Sequence, residues 1–225
     1  MVLAVFDFDG TLFPKDTLPF LLSQWRKQKL PRLRLWTAYL SIGGLFVRYK
    51  LKLFSELSRE QMRKTALQRF TRIFSGLPKT FVDDFFNHCA ALISQQLRPC
   101  VVAELRRVQS QGFHTVLLSG GYQTLMDFIG QKLKFDTIIG TKLYCKNGIV
   151  DSSPPLDIVC GEQKAQRLFA AFEGREVDWA KSTAYADSLS DIPILKLVGK
   201  PVAVSPDKGL ADKLELLRWP VLAEE

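Results

Sequence analysis

Short apolar runs alternate with stretches of helical period along most of this chain. Residues 2–6 are almost wholly apolar and lead into Asp7-Phe8-Asp9-Gly10-Thr11. This is the pattern of a central parallel strand, covered on both faces, that enters a turn at a glycine. Comparable apolar runs recur at residues 115–118, 137–139, 183–186 and 202–204. Between and after them, residues 100–111, 124–133, 162–172 and 208–217 repeat apolar positions at helical spacing. Strands alternating with helices predict an α/β fold, a Rossmann-like doubly wound parallel sheet whose ligands lie beyond the C-terminal strand ends.

Residues 16–97 break that alternation. Ser58 and Gln61 stand at capping-box spacing, and Met62, Ala66, Leu67, Phe70, Ile73 and Phe74 follow at helical intervals. Phe81, Val82, Phe85, Phe86 and Cys89 repeat the pattern after Pro78, a helix-start residue. Residues 17–27 and 35–50 predict two more helices, so about 80 residues form an all-helical insertion. Asn147-Gly148, between residues 142–146 and 149–151, predicts a β-hairpin projecting from the sheet.

Composition narrows the class. The chain has 225 residues, 47% hydrophobic and 24% charged, which excludes a disordered tail, a collagenous repeat or a disulfide-stapled miniprotein. Its net charge of +8 is unevenly placed. The stretch from Arg26 to Arg72 holds 13 Lys/Arg against 2 Asp/Glu, a local +11, so the remainder is mildly acidic at −3. Cys89, Cys100, Cys145 and Cys160 form no C-x-x-C pair and no zinc pattern, which suits a reduced, cytoplasmic setting. The apolar start runs straight into Asp7 and Asp9 and is not expected to be a signal peptide.

The longest uncharged apolar run, residues 35–47, has 13 residues, short of the roughly 20 a spanning helix needs. Arg26, Lys27, Lys29, Arg32 and Arg34 precede it, and Arg48, Lys50 and Lys52 follow it. With Trp36, Tyr39 and Phe46 inside the run, an anionic membrane surface is one expected partner and membrane association one expected location. A buried helix beneath a solvated basic face is the other reading, and both stay open here. No nucleic acid partner is expected, because no reading module accompanies the charge.

The strand ends carry the chemistry. Asp7 and Asp9 leave the first strand on one face, because strand side chains alternate with period two. Two such carboxylates can divide the work between nucleophile or ligand and general acid/base. Ser119-Gly120-Gly121 ends the second strand with a hydroxyl and small residues, which expose amides to an anion, or else Ser119 caps the helix that follows. Lys164, near a helix start, offers phosphate a point charge. Asp187 and Asp191 end a later strand. Four carboxylates in one crevice repel unless a hard cation joins them, and Mg²⁺ suits oxygen ligands with a phosphate partner. Asp16 is an N-cap type ahead of Thr17 and Pro19, and Asp191 can cap a short helix into Pro193. His88 and His114 have no identifiable partners in the sequence.

Asp7-Phe8-Asp9-Gly10-Thr11-Leu12, Ser119-Gly120, Lys164 and Asp187-Ser188-x-x-Asp191, in this order, resemble the four motifs of the haloacid dehalogenase-like phosphatase superfamily. The resemblance covers the whole chain. Gly161-Glu162-Gln163-Lys164, with Lys164 lying 23 residues before Asp187, resembles the phosphoserine phosphatase branch, subfamily IB. It implies a catalytic core of residues 1–15 and 98–225 and a helical C1-type cap of residues 16–97. It implies Asp7 as nucleophile, forming an aspartyl-phosphate, and Asp9 as general acid and then base. Mg²⁺ would be held by Asp7, the backbone carbonyl of Asp9 and Asp187, with Asp191 orienting Lys164 or a water on the metal. Ser119, the Gly120 amide and Lys164 would bind phosphoryl oxygens, and Asp16 would meet a substrate amine. Two positions depart from the pattern: Ala186 replaces a usual glycine, and Ser190 stands where phosphoserine phosphatases carry an asparagine.

The resemblance therefore implies a magnesium-dependent phosphomonoester hydrolase. Its substrate would be a phosphorylated small molecule or lipid, phosphoserine-like or lysophospholipid- or phosphatidylglycerophosphate-like. A phosphotransferase of the same fold is one alternative, and a non-catalytic protein binding anionic membrane or RNA through the basic stretch is another. The intact Asp7/Asp9 pair speaks against the second. It also speaks against the dehalogenase branch, and the lack of a D-K-T-G-T sequence speaks against an ion-pumping ATPase.

Overall fold

The computed structural model describes residues 1–28, 30–50 and 59–223. After β1 (Leu3–Phe6) come α1 (Thr17–Lys27), α2 (Arg32–Lys50), α3 (Arg59–Thr71) with a 3-10 turn at Arg72–Phe74, and α4 (Lys79–Ser94). The chain then runs through α5 (Pro99–Ser110), β2 (His114–Tyr122), α6 (Gln123–Leu133), β3 (Thr137–Thr141) and a hairpin of β4 (Cys145–Lys146) and β5 (Ile149–Val150). It finishes with α7 (Glu162–Ala171), β6 (Thr183–Ala186), α8 (Ile192–Leu197), β7 (Lys200–Val204), α9 (Lys208–Leu217) and β8 (Val221–Leu222). Ser58, Lys29 and Lys52, which the sequence reading used, lie outside the described residues.

Among the described residues the main sheet has six strands in the order β3-β2-β1-β6-β7-β8, every pairing parallel. Such a sheet needs cover on both faces, and the side chains show how it is covered. Ala4, Phe6, Leu117, Tyr185 and Val204 face a core shared with α1–α6, whereas Leu3, Val5, Val116, Leu118, Ala184 and Ala203 face one shared with α7, α8 and α9. This is period-two alternation read out in packing. The order places β1 where the chain's crossovers diverge, toward β2 on one side and β6 on the other, so a crevice opens beyond its C-terminal end.

Local signals explain several boundaries. Pro99 starts α5 at a position where its missing N–H costs nothing. Asp207 caps α9 by accepting from the Leu210 amide at 2.9 Å. α4 starts directly after Pro78, as its sequence predicts.

Three expectations are corrected. β2 continues through Ser119, Gly120 and Gly121 to Tyr122, so the helix begins at Gln123 and Ser119 is not its cap. The hairpin strands are two residues each, and the hairpin does not simply project from the sheet. Val150 donates to Leu77 O at 2.9 Å, Gly76 to Val150 O at 2.9 Å, and Lys79 to Gly148 O at 2.8 Å, which ties it to the start of α4. His114 has a partner, with Nε2 2.8 Å from Thr137 Oγ1. β8 was not foreseen, because two residues carry no periodicity.

The helical stretch between β1 and β2 is bound to the sheet by an aromatic cluster. Tyr122 stacks on Phe86 with centroids 5.1 Å apart, meets Phe74 edge-on at 5.7 Å, and shares a buried hydrogen bond of 2.7 Å with Thr71. Trp25 of α1 closes the far side against Phe74 and Phe85.

Candidate active site

Asp7 follows β1 directly, with its amide donating 2.9 Å to Tyr185 O, so the sheet ladder itself sets its position. The loop then turns at once: Gly10 donates to Phe13 O at 2.8 Å and Phe13 to Phe8 O at 2.9 Å. Gly10 has φ of +81°, and a Cβ there would fall 2.2 Å from Asp187 Oδ2. Only glycine serves both the backbone and that close approach.

Asp7, Asp187 and Asp191 bring one carboxylate oxygen each to within 4.8 Å of one another. Lys164, buried in the first turn of α7, places its ammonium 2.5 Å from Asp7 Oδ1 and 2.5 Å from Asp191 Oδ1. Ser188 donates to the other oxygen of Asp191 at 2.5 Å and lies 2.7 Å from the Ser190 hydroxyl. Asp191 occupies the cap position of α8, but its side chain makes no capping bond there.

The electrostatics follow from burial. Burial pushes the Asp7 carboxyl up against the pull of Lys164. Burial, then the charges of Asp7 and Asp191, push Asp187 to about 8. Burial also works against the Lys164 charge, but Asp191 and Asp7 outweigh it and raise its pKa. One ammonium thus sits among three carboxylates that cannot all ionise comfortably. An all-oxygen donor set short of positive charge fits a hard divalent cation.

Asp9 is separate from that cluster. One of its oxygens accepts from the Thr17 amide at 2.9 Å and from the Thr17 hydroxyl at the start of α1. Burial raises its pKa to about 6, although Thr17 and Arg63 draw it down. Asp16 stands at the cap position of α1 without making a capping bond, and instead forms an ion pair with Arg63 of α3.

On the opposite side Ser119 is buried, its Oγ accepting from the Gly121 amide at 3.0 Å. The Gly120 carbonyl accepts from Thr141 Oγ1 at 2.8 Å, and a Cβ on Gly120 would lie 3.1 Å from Val159 O.

These groups meet in one cavity of about 720 Å³, with Asp7, Asp9, Ser119, Gly120, Lys164 and Asp191 at its floor. Leu18, Leu21, Leu22, Ile42, Met62 and Leu67 form most of the roof, where Asp16 and Arg63 also lie. Every site residue expected from the sequence therefore lines this cavity, except Asp187, which joins through the carboxylate cluster. Sequence reasoning missed Thr17, Arg63 and Ser188. Arg63 lies 47 residues from its partner on a helix with five other basic or amide side chains, and no linear signal marks it.

Comparison with known proteins fits this geometry. The model of the haloacid dehalogenase-like hydrolase family matches residues 4–196. A phosphoserine phosphatase of Lactococcus lactis subsp. lactis is 25% identical over 140 residues, covering 62% of this chain and 62% of that enzyme. The chain spans less than two thirds of the length of this and the other leading curated relatives. A Bordetella pertussis Tohama I protein of unknown function superposes with a TM-score of 0.79 at 20% identity, covering 98% of this chain and 97% of the other. A phospho-aspartyl intermediate analogue of phosphoserine phosphatase superposes with a TM-score of 0.58 at 17% identity, covering 96% and 98%. At these identities the two structures speak for the fold.

Proposed function

The chain belongs to the haloacid dehalogenase-like hydrolases, and from that premise we propose that it is a magnesium-dependent phosphomonoesterase that works through an aspartyl-phosphate on Asp7. The carrying observation is the division of labour between two carboxyls two residues apart, Asp7 buried and Asp9 half-buried. Asp7 is held by Lys164 at the floor, and Asp9 is held apart with its pKa raised to about 6.

In this reading an Asp7 oxygen attacks phosphorus and the bond from phosphorus to the ester oxygen breaks. Protonated Asp9 gives its proton to that leaving oxygen, and the alcohol departs. Asp9, now a carboxylate, takes a proton from water as the water oxygen bonds phosphorus. The Asp7–phosphorus bond then breaks and inorganic phosphate is released. A pKa of about 6 suits a group that must act once as acid and once as base. Lys164, Ser119 and the Gly120 amide bind phosphoryl oxygens, and Asp191 positions Lys164 through their 2.5 Å contact. Asp7, Asp187 and the backbone carbonyl of Asp9 would hold Mg²⁺, with Asp191 beside them. When bound, the ion supplies positive charge that lets the carboxylates ionise together and offsets phosphoryl charge.

Residues 16–97 act as a cap over a core of residues 1–15 and 98–225, closing the reaction from water. The mainly aliphatic roof supports an ester with an apolar body, an amphiphilic phosphate rather than a small polar one. The Asp16–Arg63 pair, facing the same space, supports phosphoserine as the second reading, since a zwitterion could exchange partners with it. Hydrolysis of p-nitrophenyl phosphate with and without Mg²⁺ tests the chemistry, and a panel of lysophospholipid, phosphatidylglycerophosphate-like and phosphoserine substrates tests the roof. Absence of Mg²⁺-dependent turnover on every ester would overturn the assignment.

A further inference from the structure

α2 is apolar on two opposite faces, and only one of them is covered. Leu35, Ala38 and Ile42 are 5%, 3% and 5% exposed, packed toward α3 and the cavity, whose roof includes Ile42. Leu33, Trp36, Leu40 and Val47 are 78%, 64%, 74% and 56% exposed. At 100° per residue these four fall on a single stripe, with Gly43 and Gly44 along it, nearly opposite the buried three. The stripe extends over about four turns, some 21 Å. A helix of a solitary globular chain ordinarily turns charged side chains to solvent on that face.

We infer that the outer stripe of α2 docks on an anionic membrane surface, with the helix lying in the plane of the interface. Charge complementarity selects the occupant. The stripe sits within the stretch from Arg26 to Arg72 that carries a net +11. Arg26 and Lys27, at the C-terminal end of α1, are exposed just before α2. Arg34 is not part of this surface, because its guanidinium donates to Ile73 O at 2.9 Å and to Ser75 O at 2.6 Å. A second copy of the chain would bring two such positive regions together, which like-charge repulsion opposes. A nucleic acid would satisfy the charge but offers no counterpart for Leu33, Leu40 and Val47. An anionic bilayer satisfies both, taking the apolar side chains below the headgroups and the basic ones at their level. No described helix is long and apolar enough to cross a membrane, so the mode is peripheral.

The consequence for substrate rests on the phosphatase reading above, whereas docking itself does not. With α2 in the interface, its other face contributes Ile42 to the cavity that also holds Asp7, so the cavity lies beneath the docked helix. The substrate class this favours is a lipid phosphate monoester.

The test is flotation of the full chain with vesicles of phosphatidylcholine alone and of phosphatidylcholine with an equal part of phosphatidylglycerol. Wild type is compared with Leu40→Glu and with the double variant Arg26→Glu/Lys27→Glu. Circular dichroism, sedimentation and p-nitrophenyl phosphate turnover are measured alongside. Wild type is expected to bind the anionic vesicles at least tenfold better than the neutral ones, less so as salt rises. Leu40→Glu and the double variant each lose at least tenfold in binding, with the same circular dichroism and the same turnover of the soluble ester. Equal absence of wild-type binding to both vesicles, or binding unchanged by Leu40→Glu, overturns the inference. So does self-association that Leu40→Glu abolishes without any vesicle binding, which would assign the stripe to a second copy. If vesicle binding behaves as expected while no ester is hydrolysed, the docking surface stands and the phosphatase reading falls.

Discussion

Thr17 donates both its amide and its hydroxyl to one oxygen of Asp9, the amide at 2.9 Å. The first residue of the helix that opens the insertion therefore holds the carboxyl assigned to proton transfer. The two hydrogen bonds favour the charged form and oppose the burial that raises Asp9 to about 6. Thr17→Val keeps the shape and removes the hydroxyl donor. The alkaline limb of kcat/KM, where protonated Asp9 is lost, is expected near pH 6 in wild type and higher by up to about one unit in the variant. A pH–rate profile on an alkyl phosphate checks this, and an unmoved limb would exclude Asp9 as the titrating acid.

Asp7 and Asp9 are expected to differ in kind when substituted. Asp7→Asn removes the nucleophile, so turnover of any ester should fall to background. Asp9→Asn removes a proton donor, which p-nitrophenolate, a good leaving group, does not need. Single-turnover phosphorylation should therefore fall much further on an alkyl ester than on p-nitrophenyl phosphate, by roughly 10²-fold or more. Equal losses on the two esters would contradict the division of roles.

Metal and pH are coupled through the carboxylates. Asp9 and Asp187 have folded-state pKa values raised from the ordinary 3.8 to about 6 and about 8. At these two groups the folded protein binds more protons than the unfolded chain above about pH 4, so their contribution to stability is largest at low pH and is lost as pH rises through both values. Metal-free protein should thus melt several degrees lower at about pH 8 than at about pH 5.5. Mg²⁺ displaces the protons, so its stabilisation should be larger at the higher pH. Thermal melts in EDTA and in Mg²⁺ at both pH values check this; an equal Mg²⁺ shift at both would count against a site formed by these groups.

Gly10→Ala should be costly out of proportion to one methyl group. It places a Cβ at φ of +81° and 2.2 Å from Asp187 Oδ2. The strain is on the order of 1–3 kcal/mol, and relief requires Asp187 to move. Weaker Mg²⁺ stabilisation together with a lower melting temperature is expected, whereas a lower melting temperature with unchanged Mg²⁺ response would separate Gly10 from the cluster.

Phe86 tests the bond between the helical stretch and the sheet. It is fully buried and stacks on Tyr122, two residues beyond Gly120. Phe86→Ala is expected to cost about 3–5 kcal/mol by cavity formation. Tyr122→Phe should cost only about 1 kcal/mol, because Thr71 keeps its 2.9 Å bond to Leu67 O. Denaturant melts of the two variants give the comparison.

Much of this was legible in the chain before any coordinates. The apolar runs and helical periods depend on nearest neighbours, and they predict most strands and helices closely, with α1 of the insertion and α9 of the core placed to the residue. Asp7, Asp9, Asp187 and Asp191 are legible for a related reason. A carboxylate at or just beyond the end of a buried parallel strand has the crevice beyond the sheet to enter, so element order brings Asp7, Asp187 and Asp191 to one place, while Thr17 holds Asp9 apart.

Packing decided the rest. The Asp16–Arg63 pair joins positions 47 residues apart, and the pKa values of Asp9 and Asp187 depend on burial that no local pattern reveals. α2 shows the limit most plainly. A helix apolar on two opposite faces has no preferred inner face in its sequence, so only its packing on α3 makes Ile42 part of a cavity and leaves Leu33, Trp36 and Leu40 in the open.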